Sequence, residues 1–261
     1  MLRVGLIGCG AIGTILARAI DSGKAGDVKL AGIFDAHEEN ALALKRKLEC
    51  SCIVACSFAE LLATDADMIV EAASQKAVRE YGEKILRSGK DLVVLSVGAL
   101  LDENLLGDML KAAEKSGTRI YVPTGAVLAV DALKAASLSG VDSVELITTK
   151  PPHALGVKVT KKTILFEGTA EEAVKKFPQN INVAATLSLA GIGKKNTMVK
   201  IVADPKLKKN THELKVKAAC GNFQARIENA PSPDNPKTSY IAALSAIQLL
   251  RDISGRLRIG T

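Results

Sequence analysis

A short apolar strand that breaks into three glycines constrains this chain more than any other feature. Leu2-Arg3-Val4-Gly5-Leu6-Ile7 runs into Gly8-Cys9-Gly10-Ala11-Ile12-Gly13 and then into a helical pattern through Ala19. Glycines at this spacing let the backbone approach a pyrophosphate, while the amides of Ala11, Ile12 and Gly13 at the start of the helix face the anion. A second strand, Leu30-Ala31-Gly32-Ile33-Phe34, ends on an acid, and this Asp35 lies 22 residues beyond Gly13, near the roughly 20 expected for a carboxylate that binds adenosine ribose hydroxyls. Gly8, Gly10, Ala11, Ile12, Gly13 and Asp35 are therefore the expected cofactor-binding set. Asp35 would repel a 2′-phosphate and Ala36-His37 supply no Arg to hold one, so NAD is favoured, with NADP possible through His37.

The alternation begun there continues through a helix at Glu38 to Leu48, strands near Ile53-Val54 and Met68-Ile69-Val70, and helices at Phe58 to Leu62 and Ala77 to Ser88. A strand at Asp91 to Leu95, a helix at Glu103 to Lys115 and a strand at Arg119 to Val122 complete it. This predicts an α/β fold: an N-terminal Rossmann domain, residues 1–123, with a doubly wound parallel sheet. Beyond Pro123 the strands lengthen and alternate in polarity, at Ser143 to Thr149, Thr163 to Phe166, Met198 to Ala203, Glu213 to Cys220 and Asn222 to Asn229. Helices at Ala170 to Lys176 and Asn182 to Leu189 interrupt them. The expectation for residues 124–236 is a second, α+β domain on a mostly antiparallel sheet. Ala230-Pro231-Ser232-Pro233-Asp234-Asn235-Pro236 reads as a rigid linker, and Tyr240, Leu244, Ile247 and Leu250 as the buried stripe of a helix, residues 237–256, that returns to the first domain.

Composition narrows the function classes. The 261 residues are 48% hydrophobic and 24% charged, values of an ordinary globular protein. Aromatics are only 3%, without Trp, which counts against stacking of nucleobases, and the net charge of +7 is spread over short lysine pairs, so no nucleic-acid partner is expected. No stretch reaches the roughly 18 apolar residues of a membrane span, and the glycines of the first strand-turn break any secretory pattern, so the expected location is cytoplasmic without membrane association. Among five Cys, the cluster Cys50, Cys52, Cys56 has no second cluster or neighbouring His, and no metal site is expected.

Only three His occur. His37 is placed at the cofactor edge or surface, and His153 in a loop after Pro151-Pro152. His212 opens the strand ending at Ala218, where residues two apart share a face, and so lies on the covered side with Leu214, Val216 and Ala218. There it can exchange protons near neutral pH or serve as a structural histidine.

Several further segments occur with these: Ser96-Val97-Gly98-Ala99-Leu100, Thr124-Gly125-Ala126, Phe177-Pro178-Gln179-Asn180-Ile181-Asn182-Val183-Ala184, Asn210-Thr211-His212-Glu213-Leu214 and Asn235-Pro236-Lys237-Thr238-Ser239. With the glycine turn, this order resembles the L-aspartate dehydrogenase family. The resemblance implies oxidative deamination of L-aspartate through iminoaspartate to oxaloacetate and ammonia. It further implies His212 as the catalytic histidine, Ala126 and Asn182 as contacts to the nicotinamide end of the cofactor, and a homodimer, with the second domain serving substrate binding and dimerisation. It also implies hand-off of iminoaspartate to a quinolinate-forming enzyme in NAD biosynthesis. The residues alone single out nothing at Ala126 and read Asn182 as a helix cap. For the substrate carboxylates the candidates are Lys150, Lys237, Thr238 and Ser239. Val127-Leu128-Ala129 stands where a glycine-richer stretch is expected after Gly125-Ala126. The rivals are another small reductase of the same build and a non-catalytic NAD-binding sensor.

Overall fold

In the computed structural model, β1 (Leu2–Ile7) is the central strand of a six-stranded parallel sheet, buried at Val4 through Ile7. The structure describes residues 1–177, 181–232 and 235–260, with the side chains of residues 235–238 outside that description. After β1 come α1 (Ala11–Asp21), β2 (Val28–Phe34), α2 (Glu38–Lys45), β3 (Ile53–Val54), α3 (Phe58–Leu62), β4 (Met68–Glu71), α4 (Gln75–Arg87) and β5 (Asp91–Val94). A 3-10 turn (Val97–Leu101), α5 (Glu103–Ser116) and β6 (Ile120–Tyr121) follow. The strand order β3-β2-β1-β4-β5-β6 is the Rossmann order, which reverses direction between β1 and β4 and places ligands beyond the carboxyl ends of the strands there. β4 and most of β5 are buried, as expected of parallel strands with helices on both faces.

The chain divides into two compact units, and the first joins Met1–Pro123 to Ala243–Ile259. The late segment belongs to α10 (Tyr240–Ser254), whose Ala246, Ile247 and Leu250 enter the same hydrophobic core as Leu6, Leu16, Ile20, Val28 and Ile33. The inward stripe is Ala243, Ala246, Ile247 and Leu250, while Leu244 is 40% exposed. The expected stripe through Leu244 is thus corrected: the buried residues follow the i, i+3, i+4, i+7 spacing of a helix face, and alanines at two of the four positions let the helix sit close.

The second unit, built on Thr124–Ala242, contains α6 (Val130–Ser137), β7 (Val141–Lys150), α7 (Pro152–Leu155), β8 (Thr163–Thr169), α8 (Ala170–Lys176) and α9 (Asn182–Ala190). It continues through β9 (Thr197–Ala203), β10 (Asn210–Ala218), β11 (Gly221–Asn229), β12 (Pro231–Ser232) and β13 (Asn235–Ser239). Its five-stranded sheet has the order β11-β10-β7-β9-β8; only the β7–β9 pair is parallel. One face carries Val144, Leu146, Val199, Ile201, Leu214 and Val216 into a core with Leu133, Ala173, Ala184 and Leu187 from α6, α8 and α9. α8 starts in a reciprocal capping box between Thr169 and Glu172, which satisfies orphan donors at its N-terminus. The other face bears crossed ion pairs, Lys200 with Glu167 at 3.0 Å and Lys215 with Glu213 at 3.1 Å.

Two readings of this half are corrected. The stretch taken as a rigid linker includes strand: β12 pairs antiparallel with β13, Pro231 opposite Ser239 and Ser232 opposite Asn235, and Pro233 and Asp234 lie outside the described residues. Proline is compatible with such a two-stranded ribbon because every strand in it is an edge strand. His153 sits in the single-turn α7, with Pro152 as its first residue, rather than in a loop; proline's missing donor is harmless there.

Candidate active site

Three glycines shape the turn after β1 in different ways. Gly8 has φ of +97°, and a Cβ there would lie 2.7 Å from the Ala72 backbone. A Cβ on Gly13 would meet the Gly8 carbonyl oxygen at 1.9 Å, whereas one on Gly10 would meet nothing within 4 Å. Gly8 and Gly13 are thus required by the fold, and Gly10 leaves open space in front of α1. Gly10 is also the N-cap of α1 and offers no side-chain cap, so the amides of Ala11, Ile12 and Gly13 head the helix toward that space.

Asp35 closes the turn from the side. Its Oδ2 accepts from the Cys9 amide at 2.8 Å, and Oδ1 accepts from the His37 amide at 2.9 Å and from Asn40 Nδ2 at 3.2 Å. The α2 N-cap is His37. A carboxylate has about four lone-pair sites, so Asp35 keeps accepting capacity beside the glycine turn. This arrangement fits a dinucleotide: an open cradle at Gly10, an uncapped helix N-terminus and an adjacent acceptor.

Glu71, which the sequence reading passed over, ends β4 at 1% exposure. Its carboxylate accepts from the amides of Ala73, Ser74 and Ser96 and from Ser96 Oγ, at 2.8 to 3.0 Å. Burial pushes its pKa up while these donors hold the charge. It ties the turn after β4, which touches Gly8, to the turn after β5. An acid directly after the apolar run Met68-Ile69-Val70 was its sequence signal.

In the second unit the covered face of the mixed sheet changes from apolar to polar at one end. On β7 the sequence Val144, Leu146, Thr148, Lys150 lies along that face, and on β10 it is Val216, Leu214, His212, Asn210, all buried. His212 is 4% exposed, opposite Thr148 in the β7–β10 pairing, and its Nδ1 lies 2.9 Å from Thr148 Oγ1. Burial, and secondarily the charge of Lys150, push its pKa down to about 3, so the imidazole is neutral at physiological pH. Lys150 is 8% exposed and burial pushes its pKa down to about 8. Lys150 is thus not the ordinary surface lysine that its residue type would make it.

The remaining expected residues are placed less centrally. Ala126 is buried and its carbonyl accepts from Asn229 Nδ2 at 3.0 Å. Asn182 is exposed and is the first helical residue of α9; Ile181 occupies the cap position, so the helix-cap reading is corrected. Ser239 ends β13 and is 7% exposed, and the side chains of Lys237 and Thr238 lie outside the described residues. Thr148, Asn210 and Asn229 were missed, although their parity with Leu146, Leu214 and Ile227 places polar groups on a covered face. Among the described residues no group of three His, Cys, Asp or Glu gathers to hold a metal, and no helix is long and apolar enough to cross a membrane.

Comparison with known proteins agrees with both halves of this picture. Residues 8–123 match the family model for the NAD-binding domain of homoserine dehydrogenase, and residues 131–253 match that for the C-terminal part of aspartate dehydrogenase. The L-aspartate dehydrogenase of Methanosarcina mazei is 47% identical over the full length of both chains, and that of Methanothermobacter thermautotrophicus is 43% identical over 100% of this chain and 99% of its own. The crystal structure of aspartate dehydrogenase from Thermotoga maritima superposes with a TM-score of 0.82 at 31% identity, covering 100% of both chains. A scyllo-inositol dehydrogenase from Lactobacillus casei shares the fold at 13% identity, with a TM-score of 0.61 and coverage of 96% of this chain and 87% of its own. A Rossmann unit with this turn, followed by a mixed-sheet unit with a buried histidine, defines a nicotinamide-dependent oxidoreductase. Within that class, the chain belongs to the L-aspartate dehydrogenase family.

Proposed function

We propose that this enzyme oxidises L-aspartate to iminoaspartate, which is hydrolysed to oxaloacetate and ammonia, with NAD preferred over NADP. The observation that carries the reading is the buried His212, held at Nδ1 by Thr148 and accompanied by the cationic Lys150 on one covered sheet face. The bound nicotinamide supplies the acceptor for the hydride that leaves Cα. Gly10 and the amides of Ala11, Ile12 and Gly13 would hold the pyrophosphate, Asp35 the adenosine ribose, and Ala126 and Asn182 would contact the nicotinamide end.

Lys150 offers N–H donors and a positive charge to a substrate carboxylate. With Nδ1 engaged by Thr148, Nε2 is the atom of His212 that takes a proton from the water attacking the C=N carbon and returns it to the departing nitrogen. A carboxylate seated on Lys150 also cancels part of the charge that depresses His212, so substrate binding itself raises the basicity of the imidazole. Ser239, Lys237 and Thr238 are further candidates for the second carboxylate. We place the enzyme in the cytoplasm as a homodimer, its iminoaspartate passing to a quinolinate-forming step of NAD biosynthesis.

The test is reduction of NAD by L-aspartate, followed at the reduced-nicotinamide absorbance beside NADP, D-aspartate, L-glutamate and L-homoserine. His212→Ala should lower kcat by a factor on the order of 10² or more. No reduction with any of these amino acids, in a protein that binds NAD, would sink the reading.

A further inference from the structure

One buried polar atom near His212 has no role in the scheme above. Asn229 ends β11 opposite Asn210, and Ile227 lies opposite His212, so by strand parity Asn229 shares the covered face with His212. It is 3% exposed. Asn210 is one residue beyond the Thr211–Thr149 pair, so Asn229, Asn210 and Lys150 form one row across the sheet, beside the row of His212 and Thr148. Asn229 Nδ2 donates to the Ala126 carbonyl at 3.0 Å. Only the nitrogen end of an amide can donate to a carbonyl, so this bond fixes which way the side chain points. Oδ1 is left as a buried acceptor with no hydrogen-bond partner among the described residues. Folded proteins hold few such atoms, and each calls for a physical reason, a partner from outside the chain being one.

The partner has to be a donor. An amide oxygen cannot donate, unlike the hydroxyls of Thr211 and Ser232, which are also buried without a partner and can turn to serve as either. A dicarboxylic amino acid has acceptors at both carboxylates and strong donors only at its amine. Lys150 presents donors alone, and so do Lys208 and Lys209, which line a small cleft together with Asn210 and Asn229. Of the buried unpartnered atoms among the described residues, Asn229 Oδ1 is the one that can only accept, and the amine is the strong donor it matches.

We infer that Asn229 is a substrate-binding residue whose Oδ1 accepts an N–H from the amino nitrogen of the substrate. The inference rests on the function proposed above. Once the substrate ammonium has lost one proton to solvent, the Cα–H bond breaks, its electron pair leaves as hydride to the nicotinamide, and the nitrogen lone pair forms the C=N bond, leaving the nitrogen positive. The dipole of the Asn229 carbonyl then holds that N–H more strongly than in the ground state, so the contact favours the transition state as well as binding. The Ala126 carbonyl, by anchoring Nδ2, keeps Oδ1 aimed.

The experiment compares L-aspartate with succinate, which has the two carboxylates and no amine, in the wild type and Asn229→Ala. The readouts are the KM and kcat for L-aspartate, the inhibition constant of succinate and the dissociation constant of NADH measured by fluorescence. Loss of a hydrogen bond to the amine should raise the KM for L-aspartate about tenfold or lower kcat/KM by at least that factor, with succinate and NADH changed less than twofold. If succinate weakens in step with L-aspartate, Asn229 serves the carboxylates or only shapes the floor, and the assignment is overturned. A change in NADH affinity alone places its action on the cofactor through Ala126 and overturns it too, as does no change at all. Should Asn229→Ala fail to fold, Asn229→Gln keeps the amide and moves the oxygen by one methylene, and the same divergence between L-aspartate and succinate decides. A wild type that does not turn over L-aspartate overturns the proposed function and this inference with it; a wild type that does, without the divergence, overturns Asn229 alone.

Discussion

His212 and Thr148 show how much one side-chain contact decides. The hydroxyl at 2.9 Å from Nδ1 sets both the ring orientation and the nitrogen left for chemistry. Thr148→Val keeps the shape and removes the hydroxyl, and should lower kcat by about tenfold while changing the KM for L-aspartate little; Thr148→Ser should restore most of it. Equal loss in both variants would mean that the methyl packing matters and the hydrogen bond does not. Burial also makes His212 a stability determinant. Its folded pKa of about 3 lies below the reference value of 6.5, so between these values the unfolded chain binds more protons, and stability falls as pH drops from about 6.5 toward 3. The urea midpoint of His212→Gln should therefore fall less steeply over this window than that of the wild type. His212 was legible because alternation put it among Leu214 and Val216. Thr148 and Asn229 carry the same alternation signal with Leu146 and Ile227 but were not picked out, because Thr and Asn near strand ends are commonly solvated and neither is by itself an acid-base group; the pairing across strands that sets them beside His212 is what marks them.

At the scale of the element, the glycine turn separates two demands that the sequence motif merges. A methyl on Gly13 has no room against the Gly8 carbonyl, while a methyl on Gly10 has open space. Gly13→Ala should thus lower the thermal midpoint by several degrees and weaken NAD binding only in proportion to lost fold. Gly10→Ala should leave the midpoint within about one degree and still weaken NAD binding by tenfold or more, because the methyl occupies the space into which a pyrophosphate approaches. Similar effects of both changes on both readouts would refute the division. The glycine-richer stretch expected after Ala126 has a counterpart in the backbone. Ala129, the N-cap of α6, has φ of +61° and is the one non-glycine residue at positive φ among those described, a left-handed conformation that costs an alanine roughly 1 kcal/mol. α6 was not read from the sequence, although Val130, Leu133 and Ala136 mark its buried face, and the β12–β13 ribbon was hidden because Pro-Ser-Pro-Asp-Asn-Pro has the composition of a linker and its pairing depends on contacts that composition does not carry.

For the whole molecule, the consequential feature is that the first unit is made of two pieces of chain, and its core is complete only when α10 arrives after the entire second unit. Leu250 is 0% exposed in that core. Leu250→Ala removes a buried side chain and leaves a cavity, a change that costs about 2–5 kcal/mol. The loss should fall on the unit that binds dinucleotide. A ligand that binds only the folded form raises the stability of the unit that holds it, so NAD identifies which thermal transition belongs to the first unit. In a calorimetric scan, Leu250→Ala should lower the transition that NAD raises, and excess NAD should recover part of the difference. If the two units unfold in separate steps, the transition insensitive to NAD should stay where it is in the variant; if they unfold as one, a single midpoint should move down. A variant that shifted only the NAD-insensitive transition would show that α10 stabilises the second unit instead. Apolar periodicity marked α10 as an amphipathic helix but put Leu244 in its buried stripe, because a large side chain carries more weight in a hydrophobic pattern than Ala243 and Ala246, which are the residues buried there.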